Sequence, residues 1–305
     1  MMTLPDRHRN GMAGEPIVCY NGMTEPGRAM RDALHAGIPE PEKRREQVQE
    51  DLRRVSGNNA KNPIPAGGDT LIYATSDVHG YPLDSFLRLL EKAGFGDEDT
   101  LYVLGDVIDR NGDGGVAMLR WMMDRPNVEF LLGNHEEMLL SCSFLFDEIT
   151  DESIGHLDYG QMHLLLQWMR NGAQPTMTAL RGLKKKDPEA ATDLLDYLRD
   201  APLYATASAG GKDYLLVHSG LEHFSPERKL SEYTPDELLW NRPSPDDRYF
   251  PDITTILGHT PTGYLFGEKG KMFRTDTWID IDTGASGGGS PMLLRLDDLK
   301  AFYSE

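Results

Sequence analysis

The sequence predicts an α/β fold with a parallel sheet, a second sheet later in the chain, and a helical segment between them. Three observations carry this. From Leu71 onward, short apolar runs alternate with stretches of helical apolar spacing. The middle of the chain then holds helical spacing alone, and four more apolar runs follow, separated by Gly and Pro turns.

Residues 1–69 differ from the rest. They hold Pro and Gly clusters, the charged stretch Pro39-Glu-Pro-Glu-Lys-Arg-Arg-Glu and a polar segment from Gly57. They read as an N-terminal extension with one or two helices and a linker. In the remainder, residues 70–305, strands are predicted at Leu71-Ile-Tyr-Ala-Thr, Leu101-Tyr-Val-Leu and Val128-Glu-Phe-Leu-Leu. Helices are predicted near Pro82 to Ala93 and Gly114 to Met123. This β-α-β-α-β order predicts a parallel sheet with right-handed crossovers. From Glu136 to about Leu203, Leu, Met and Trp recur at helical spacing with a break at Asn171-Gly172. That stretch reads as a helical insertion, about residues 140–205, in which no strand is needed. The later strands are predicted at Asp213-Tyr-Leu-Leu-Val, Ile253-Thr-Thr-Ile-Leu, Thr277-Trp-Ile-Asp-Ile and Met292-Leu-Leu-Arg-Leu.

With 305 residues, 39% of them hydrophobic, the chain can bury a substantial core. No apolar stretch near the start is long enough for a signal peptide or a membrane span, so a cytoplasmic protein with no membrane partner is expected. The formal charge of −18 repels a phosphate backbone and argues against a nucleic-acid partner. Cys19 and Cys142 form no CxxC pair and read as free thiols, which argues against a structural zinc site.

Five of the apolar runs end in polar clusters: Ser76-Asp-Val-His-Gly, Gly105-Asp-Val-Ile-Asp-Arg, Gly133-Asn-His-Glu, His218-Ser-Gly and Gly258-His-Thr. Singly, each has an ordinary structural use. Asp77 and His79 suit a strand-to-helix turn, Asn134 suits a helix N-cap, and His218 or His259 suits a core or turn histidine. Together they are harder to explain, because residues after successive strands of an α/β sheet converge on one rim. Asp77, Asp106 and Asn134 lie 29 and 28 residues apart, about one β-α-β unit each.

Carboxylate and amide oxygens with neutral imidazoles suit hard or borderline divalent cations. Asp77, His79, Asp106, Asn134, His218 and His259 are therefore the candidate metal ligands, with Asp106 placed to bridge two ions. Two such ions would acidify a water and neutralise phosphate oxygens, so a phosphoester could be hydrolysed without a protein nucleophile. His135, left over from the ligand set, is the candidate general acid, with Asp109 to orient it. Arg110 offers a planar fork for phosphate; Arg242, in Leu239-Trp-Asn-Arg, is either a second such group or a plain surface arginine beside Trp240.

At these residues the chain resembles the phosphoprotein phosphatase family of calcineurin-like metallophosphoesterases, whose signature is GDxHG, GDxVDRG and GNHE followed by two histidines. The resemblance covers about residues 70 to 300. It implies a four-layer fold, a two-sheet sandwich flanked by helices. It also implies Asp77, His79 and Asp106 on one metal, Asp106, Asn134, His218 and His259 on the other, Arg110 on phosphate, and His135 paired with Asp109. Leu239-Trp-Asn-Arg resembles the family's second phosphate-binding segment. Manganese is the expected metal, and iron, zinc and nickel accept the same ligands. Three positions depart from the signature: Ser76 and Asn111 replace glycines, and His218-Ser-Gly replaces His-Gly-Gly.

The resemblance implies a serine/threonine, or dual-specificity, protein phosphatase of bacterial or phage type. Its rival is a hydrolase of dinucleoside polyphosphates or other small phosphoesters. Enzymes of that kind tend to carry Gly-Asn-His-Asp where this chain has Glu136, and to lack the Asp109-Arg110 pair. A non-catalytic metal-binding scaffold is the alternative from another class, and a general acid at His135 argues against it.

Overall fold

The computed structural model describes residues 70–146 and 158–304. The N-terminal extension expected at 1–69, and Cys19 with it, lies outside the described residues.

In chain order the strands are β1 (Ile72–Thr75), β2 (Thr100–Val103), β3 (Val128–Phe130), β4 (Tyr204–Ala209), β5 (Lys212–Val217), β6 (Ile253–Leu257), β7 (Phe273–Arg274), β8 (Trp278–Asp280), β9 (Met292–Arg295) and β10 (Lys300–Tyr303). The helices are α1 (Leu83–Ala93), α2 (Val116–Met123), α3 (Asn134–Ser141), α4 (Tyr159–Arg170), α5 (Gln174–Lys186), α6 (Pro188–Asp200), α7 (Pro235–Leu239) and α8 (Thr262–Leu265). One sheet runs β10-β9-β1-β2-β3 and the other β4-β5-β6-β8-β7.

All seven predicted strands are present. The parallel pairing expected of the first three strands is present in β1, β2 and β3, and β9 extends that sheet by joining β1 antiparallel and carrying β10 with it. The second sheet is mixed too, with β5, β6 and β8 parallel and β4 and β7 antiparallel at its edges. The strands missed, β4, β7 and β10, are edge strands. Their sequences Tyr-Ala-Thr-Ala-Ser-Ala, Phe-Arg and Lys-Ala-Phe-Tyr bury one face or none and carry little periodic signal. The middle segment is helical as expected, in α4, α5 and α6. Pro at the N-terminus of α6 and Asp187 as its N-cap, accepting from the Ala190 N–H, separate it from α5.

The layers follow from strand alternation. Along β5, Tyr214 and Leu216, with Ile256 and Ile279 of the neighbouring strands, face the other sheet, where Ala74, Leu104, Leu131 and Leu294 meet them. Leu215 and Val217 face outward and pack with Trp278, Leu238 and Tyr249 under the short helix α7 and its loops. The outer face of the first sheet, Tyr73, Leu101 and Val103, is covered by α1, α2 and the central helices through Phe86, Leu119, Met122 and Trp168. Two mixed sheets flanked by helices result, with the layer over the second sheet thin. Among the described residues no helix is long and apolar enough to cross a membrane.

Ile279 is fully buried between the sheets. Ile279→Ala is expected to cost about 2–5 kcal/mol, read as a lower urea midpoint with little change in slope. Tyr264→Ala, at a side chain 76% exposed, is the control and stays within about 0.5 kcal/mol of the parent.

Candidate metal centre

The parallel strands of both sheets point their carboxyl ends at one rim, and every predicted ligand sits just beyond them. Asp77 and His79 follow β1, Asp106 follows β2, Asn134 opens α3 after β3, His218 follows β5 and His259 follows β6. All six are buried. Asn134 is the first helical residue and Gly133 the N-cap, so Asn134 is not the helix cap.

The local backbone is strained where these side chains are aimed. Among the described residues, eight that are not glycine have positive φ, and six of them are Asp77, His79, Asp106, Asp109, Arg110 and His259. Each such residue costs about 1 kcal/mol or more, and such strain clusters at functional sites. Gly105 at φ +83° precedes Asp106, and a Cβ there would stand 2.5 Å from the Gly133 backbone. The β2 and β3 turns therefore touch main chain to main chain.

Hydrogen bonds to backbone carbonyls set the imidazole tautomers. His79 Nδ1 lies 2.9 Å from the Ile108 oxygen and His218 Nδ1 lies 2.7 Å from the Leu104 oxygen. Each Nδ1–H donates there, which leaves each Nε2 as a bare lone pair turned into the site. His79 Nε2 is 3.5 Å from Asp106 Oδ2 and 3.8 Å from Asp77 Oδ1. His218 Nε2 is 2.9 Å from Asn134 Oδ1 and 3.5 Å from Asp106 Oδ1. His259 Nδ1 is 2.9 Å from the same Asn134 oxygen. The Asp77 Oδ1 and His259 Nε2 atoms are buried with no hydrogen-bond partner.

The Nε2 lone pairs of His79 and His218 thus face carboxylate and amide oxygens, an arrangement that a divalent cation satisfies. Two groups of donor atoms each fall within 4.8 Å: His79, Asp106 and His135, and Asp106, His218 and His259. Both contain Asp106, as a bridging carboxylate requires. The first group includes His135 in place of Asp77, but the surroundings of His135 favour Asp77 as the ligand. His135 Nδ1 is held 2.6 Å from Asp109 Oδ2, and its Nε2 faces the Arg110 guanidinium at 3.3 Å, where a second cation would be repelled. Burial pushes the Asp77 and Asp106 carboxyls up and the His79, His218 and His259 imidazoles down. Neutral imidazole is the ligating form, and cations would offset the buried carboxylate charge. The donor set fits two divalent ions.

The phosphate-binding candidates sit at the edge of this cluster. Arg110 has a buried Nε with no partner. Arg242 donates to Thr260 Oγ1 at 2.6 Å, next to His259, and its charge lowers both His218 and His259. It is therefore not a plain surface arginine. It follows α7, which is tied down by a two-pronged Arg228–Glu237 ion pair at 2.7 Å and by the Thr234 cap.

Several residues around the site were given no structural role by the sequence. Glu136 is fully buried and accepts from the N–H groups of Asp106, Val107, Ile108 and Gly133. Its place three residues after Gly133 was the available signal, since an acid there reaches back to the helix start. Ser76, in place of the family glycine, hydrogen-bonds Asp77 Oδ2. Asn111 donates to the carbonyls of His79 and Ala285, bracing the first turn against the last. Asp280 and Asp282 are buried behind the cluster, and burial, then mutual or Asp77 charge, pushes both up. Asp282 lies in Ile281-Asp-Thr-Gly-Ala, which resembles the family's late strand and turn, but no spacing gave either residue a role.

Glu136→Gln places an amide N–H against main-chain donors. It is expected to cost about 3 kcal/mol and to weaken manganese binding, measured calorimetrically, about 10–100-fold. A second expectation concerns pH. Hydrogen bonds from Arg228 hold the Glu237 carboxyl down to about 2, from an ordinary 4.5. The folded value is depressed, so the stabilisation is complete above 4.5 and lost as pH falls through 2. The Tm gap between the parent and Glu237→Gln should be open at pH 7 and should close across that window.

The model of the calcineurin-like phosphoesterase family matches residues 70–281. A protein of Acidovorax sp. (strain JS42) named bis(5'-nucleosyl)-tetraphosphatase, symmetrical, is 29% identical over 169 residues, 55% of this chain and 47% of that protein. One of the same name from Chromobacterium violaceum is 37% identical over 112 residues, 35% of this chain and 38% of that protein. The chain spans less than two thirds of the length of these curated relatives. A solved structure titled as a putative diadenosine tetraphosphatase aligns over 76% of this chain and 91% of its own, with a TM-score of 0.48 and 15% identity. With the family model spanning all three signature blocks and both later histidines, the chain belongs to the calcineurin-like phosphoesterases, a family of hydrolases.

Proposed function

We propose that the chain is a metal-dependent phosphohydrolase of small phosphoesters and phosphoanhydrides, with dinucleoside polyphosphates as the leading substrate class. The observation that carries the hydrolytic reading is the pair of buried donor groups sharing Asp106, with Arg110 and Arg242 at their edge. The substrate class is supported by the name shared by the matched relatives. Residues 70–305 are the catalytic domain in this reading, with the helical insertion at about 140–205.

Asp77, His79 and Asp106 would hold one cation, and Asp106, Asn134, His218 and His259 the other. Bound there, the pair supplies an acidified water and offsets negative charge on the phosphate; manganese is the first ion to test. Arg110 and Arg242 bind phosphate oxygens and turn phosphorus toward the ligand cluster. Asp109 accepts from His135 Nδ1 and orients the ring; with the Arg110 guanidinium drawn from His135 Nε2 onto phosphate, Nε2 carries the proton that is given to the leaving oxygen. A P–O bond to water forms, the P–O bond to the leaving group breaks, and the leaving oxygen departs protonated.

The same dyad favours a second reading, a serine/threonine or dual-specificity protein phosphatase. The alkoxide of a phosphoserine or phosphothreonine is a strong base and needs that proton, whereas a departing nucleoside phosphate is a weak base and needs it less. Glu136 and the Asp109-Arg110 pair also follow the protein phosphatase signature rather than the rival's.

The test is phosphate release by metal-stripped protein, with and without manganese, on diadenosine tetraphosphate, a phosphoserine peptide and p-nitrophenyl phosphate. Asp106→Asn is the control. Manganese-dependent cleavage of the dinucleotide, absent from the variant, supports the first reading. Turnover of the peptide with the dinucleotide untouched replaces it with the second, and no metal-dependent release from any of the three overturns both.

A further inference from the structure

Asp109 lies three residues past Asp106 in a turn where both it and Arg110 have left-handed backbone, at φ 74° and 65°. Aspartate tolerates such a conformation better than most residues and arginine does not, and the turn's own main-chain bonds, Asn111 N–H to the Asp109 oxygen and Gly114 N–H to the Asn111 oxygen, leave the Asp109 carboxylate unheld. Its partners come from the helical insertion. The indole Nε1 of Trp168, on α4, donates to Asp109 Oδ2 at 2.8 Å, the oxygen that His135 Nδ1 also meets. The Thr176 hydroxyl, on α5, donates to Asp109 Oδ1 at 2.6 Å and accepts from the Asp109 N–H at 2.9 Å. Between the two helices, the Gly172 carbonyl accepts from the Arg110 N–H at 3.0 Å. A Cβ on Gly172 would stand 3.0 Å from Arg110 Cγ, so the α4–α5 connection presses closely on that arginine. Trp168, Thr176 and Asp109 all have essentially no solvent exposure.

We propose that Trp168 and Thr176 are positioning residues for the reaction. By each donating to one oxygen of Asp109, they fix the carboxylate that orients His135, and the insertion is thereby a working part of the active site. A carboxylate with two free oxygens could turn away from His135. With Oδ1 bound to a hydroxyl and Oδ2 bound to an indole N–H, one orientation remains, and Oδ2 faces Nδ1. Hydrophobic burial alone does not account for this pattern, since phenylalanine would fill the space of Trp168 and valine that of Thr176 without reaching the carboxylate.

This inference rests on His135 acting as the general acid, and two readouts separate its failure from the failure of that reading. The first needs no turnover. In the full-length protein, proton and nitrogen NMR of the imidazoles should show a hydrogen-bonded His135 Nδ1–H at low field, assigned by its loss in His135→Asn. The signal should shift or vanish in the double variant Trp168→Phe/Thr176→Val and persist in Thr176→Ser. An unchanged His135 signal in the double variant, with the protein folded by circular dichroism, overturns the proposal whatever the kinetics.

The second readout is leaving-group dependence with manganese present. On phenyl phosphate, whose leaving group is a stronger base, kcat of the double variant should fall about 10–100-fold, with a much smaller fall on p-nitrophenyl phosphate. Thr176→Ser should restore most of the loss seen in Thr176→Val. Equal losses on the two esters in the double variant, while His135→Asn discriminates between them, overturn the positioning role alone. Equal losses in His135→Asn as well overturn the general-acid reading and the inference with it.

Discussion

The Glu136 carboxylate organises the centre of the site. It is fully buried and accepts four main-chain N–H groups, three of them from the consecutive residues Asp106, Val107 and Ile108. Burial pushes its carboxyl to about 7, and the amides oppose that shift. All four partners are donors, so the geometry serves the ionised form; a carboxyl proton would meet no acceptor among them. Once that loop is fastened to the start of α3, other contacts follow from it. The Ile108 oxygen is presented to His79 Nδ1, and Asp106 Oδ1 accepts the His135 N–H. The shared carboxylate, a ligand imidazole and the candidate acid are thus referred to one anchor.

The second sheet reaches the same point through packing. Leu104 contributes its side chain to the inter-sheet core and its carbonyl to His218 Nδ1, so contact between the sheets and the tautomer of a ligand are set by one residue. The His259 N–H donates to Asp77 Oδ2, joining the β6 turn to the β1 turn across the interface. Six left-handed residues in these turns show the cost of aiming so many polar groups at one spot. The buried sandwich beneath, with Tyr214, Leu216, Ile256 and Ile279 at its centre, supplies the rigid support such strain needs.

Chemistry and substrate choice separate cleanly in this arrangement. In the proposed reading, the candidate ligand cluster with Arg110 and Arg242 would serve any phosphate, whatever is attached to it. Discrimination between a nucleotide and a phosphorylated side chain falls to the leaving group and to surfaces beyond the cluster. In that reading the His135–Asp109 dyad would govern the first, and the helical segment that touches Asp109 and Arg110 extends outward with Met169 partly exposed, three residues before Gly172.

By itself the sequence determined the seven principal strands, the helical middle segment and the convergence of Asp77, His79, Asp106, Asp109, Arg110, Asn134, His135, His218 and His259. Period-two and helical spacing are local signals, and the rule that strand ends share a rim turns them into a site. It was silent on the edge strands β4, β7 and β10, whose half-wetted faces carry little pattern, and it left Arg242 between two readings. Only the tertiary structure decided that Glu136 clamps the Asp106 loop, that Asn111 braces two turns, that His218 and His79 present Nε2, and that Trp168 and Thr176 grip Asp109. Those contacts join residues 28 to 174 positions apart by single hydrogen bonds. A hydrogen bond between distant residues leaves no periodicity in either partner's neighbourhood, so only the packed chain brings it into being.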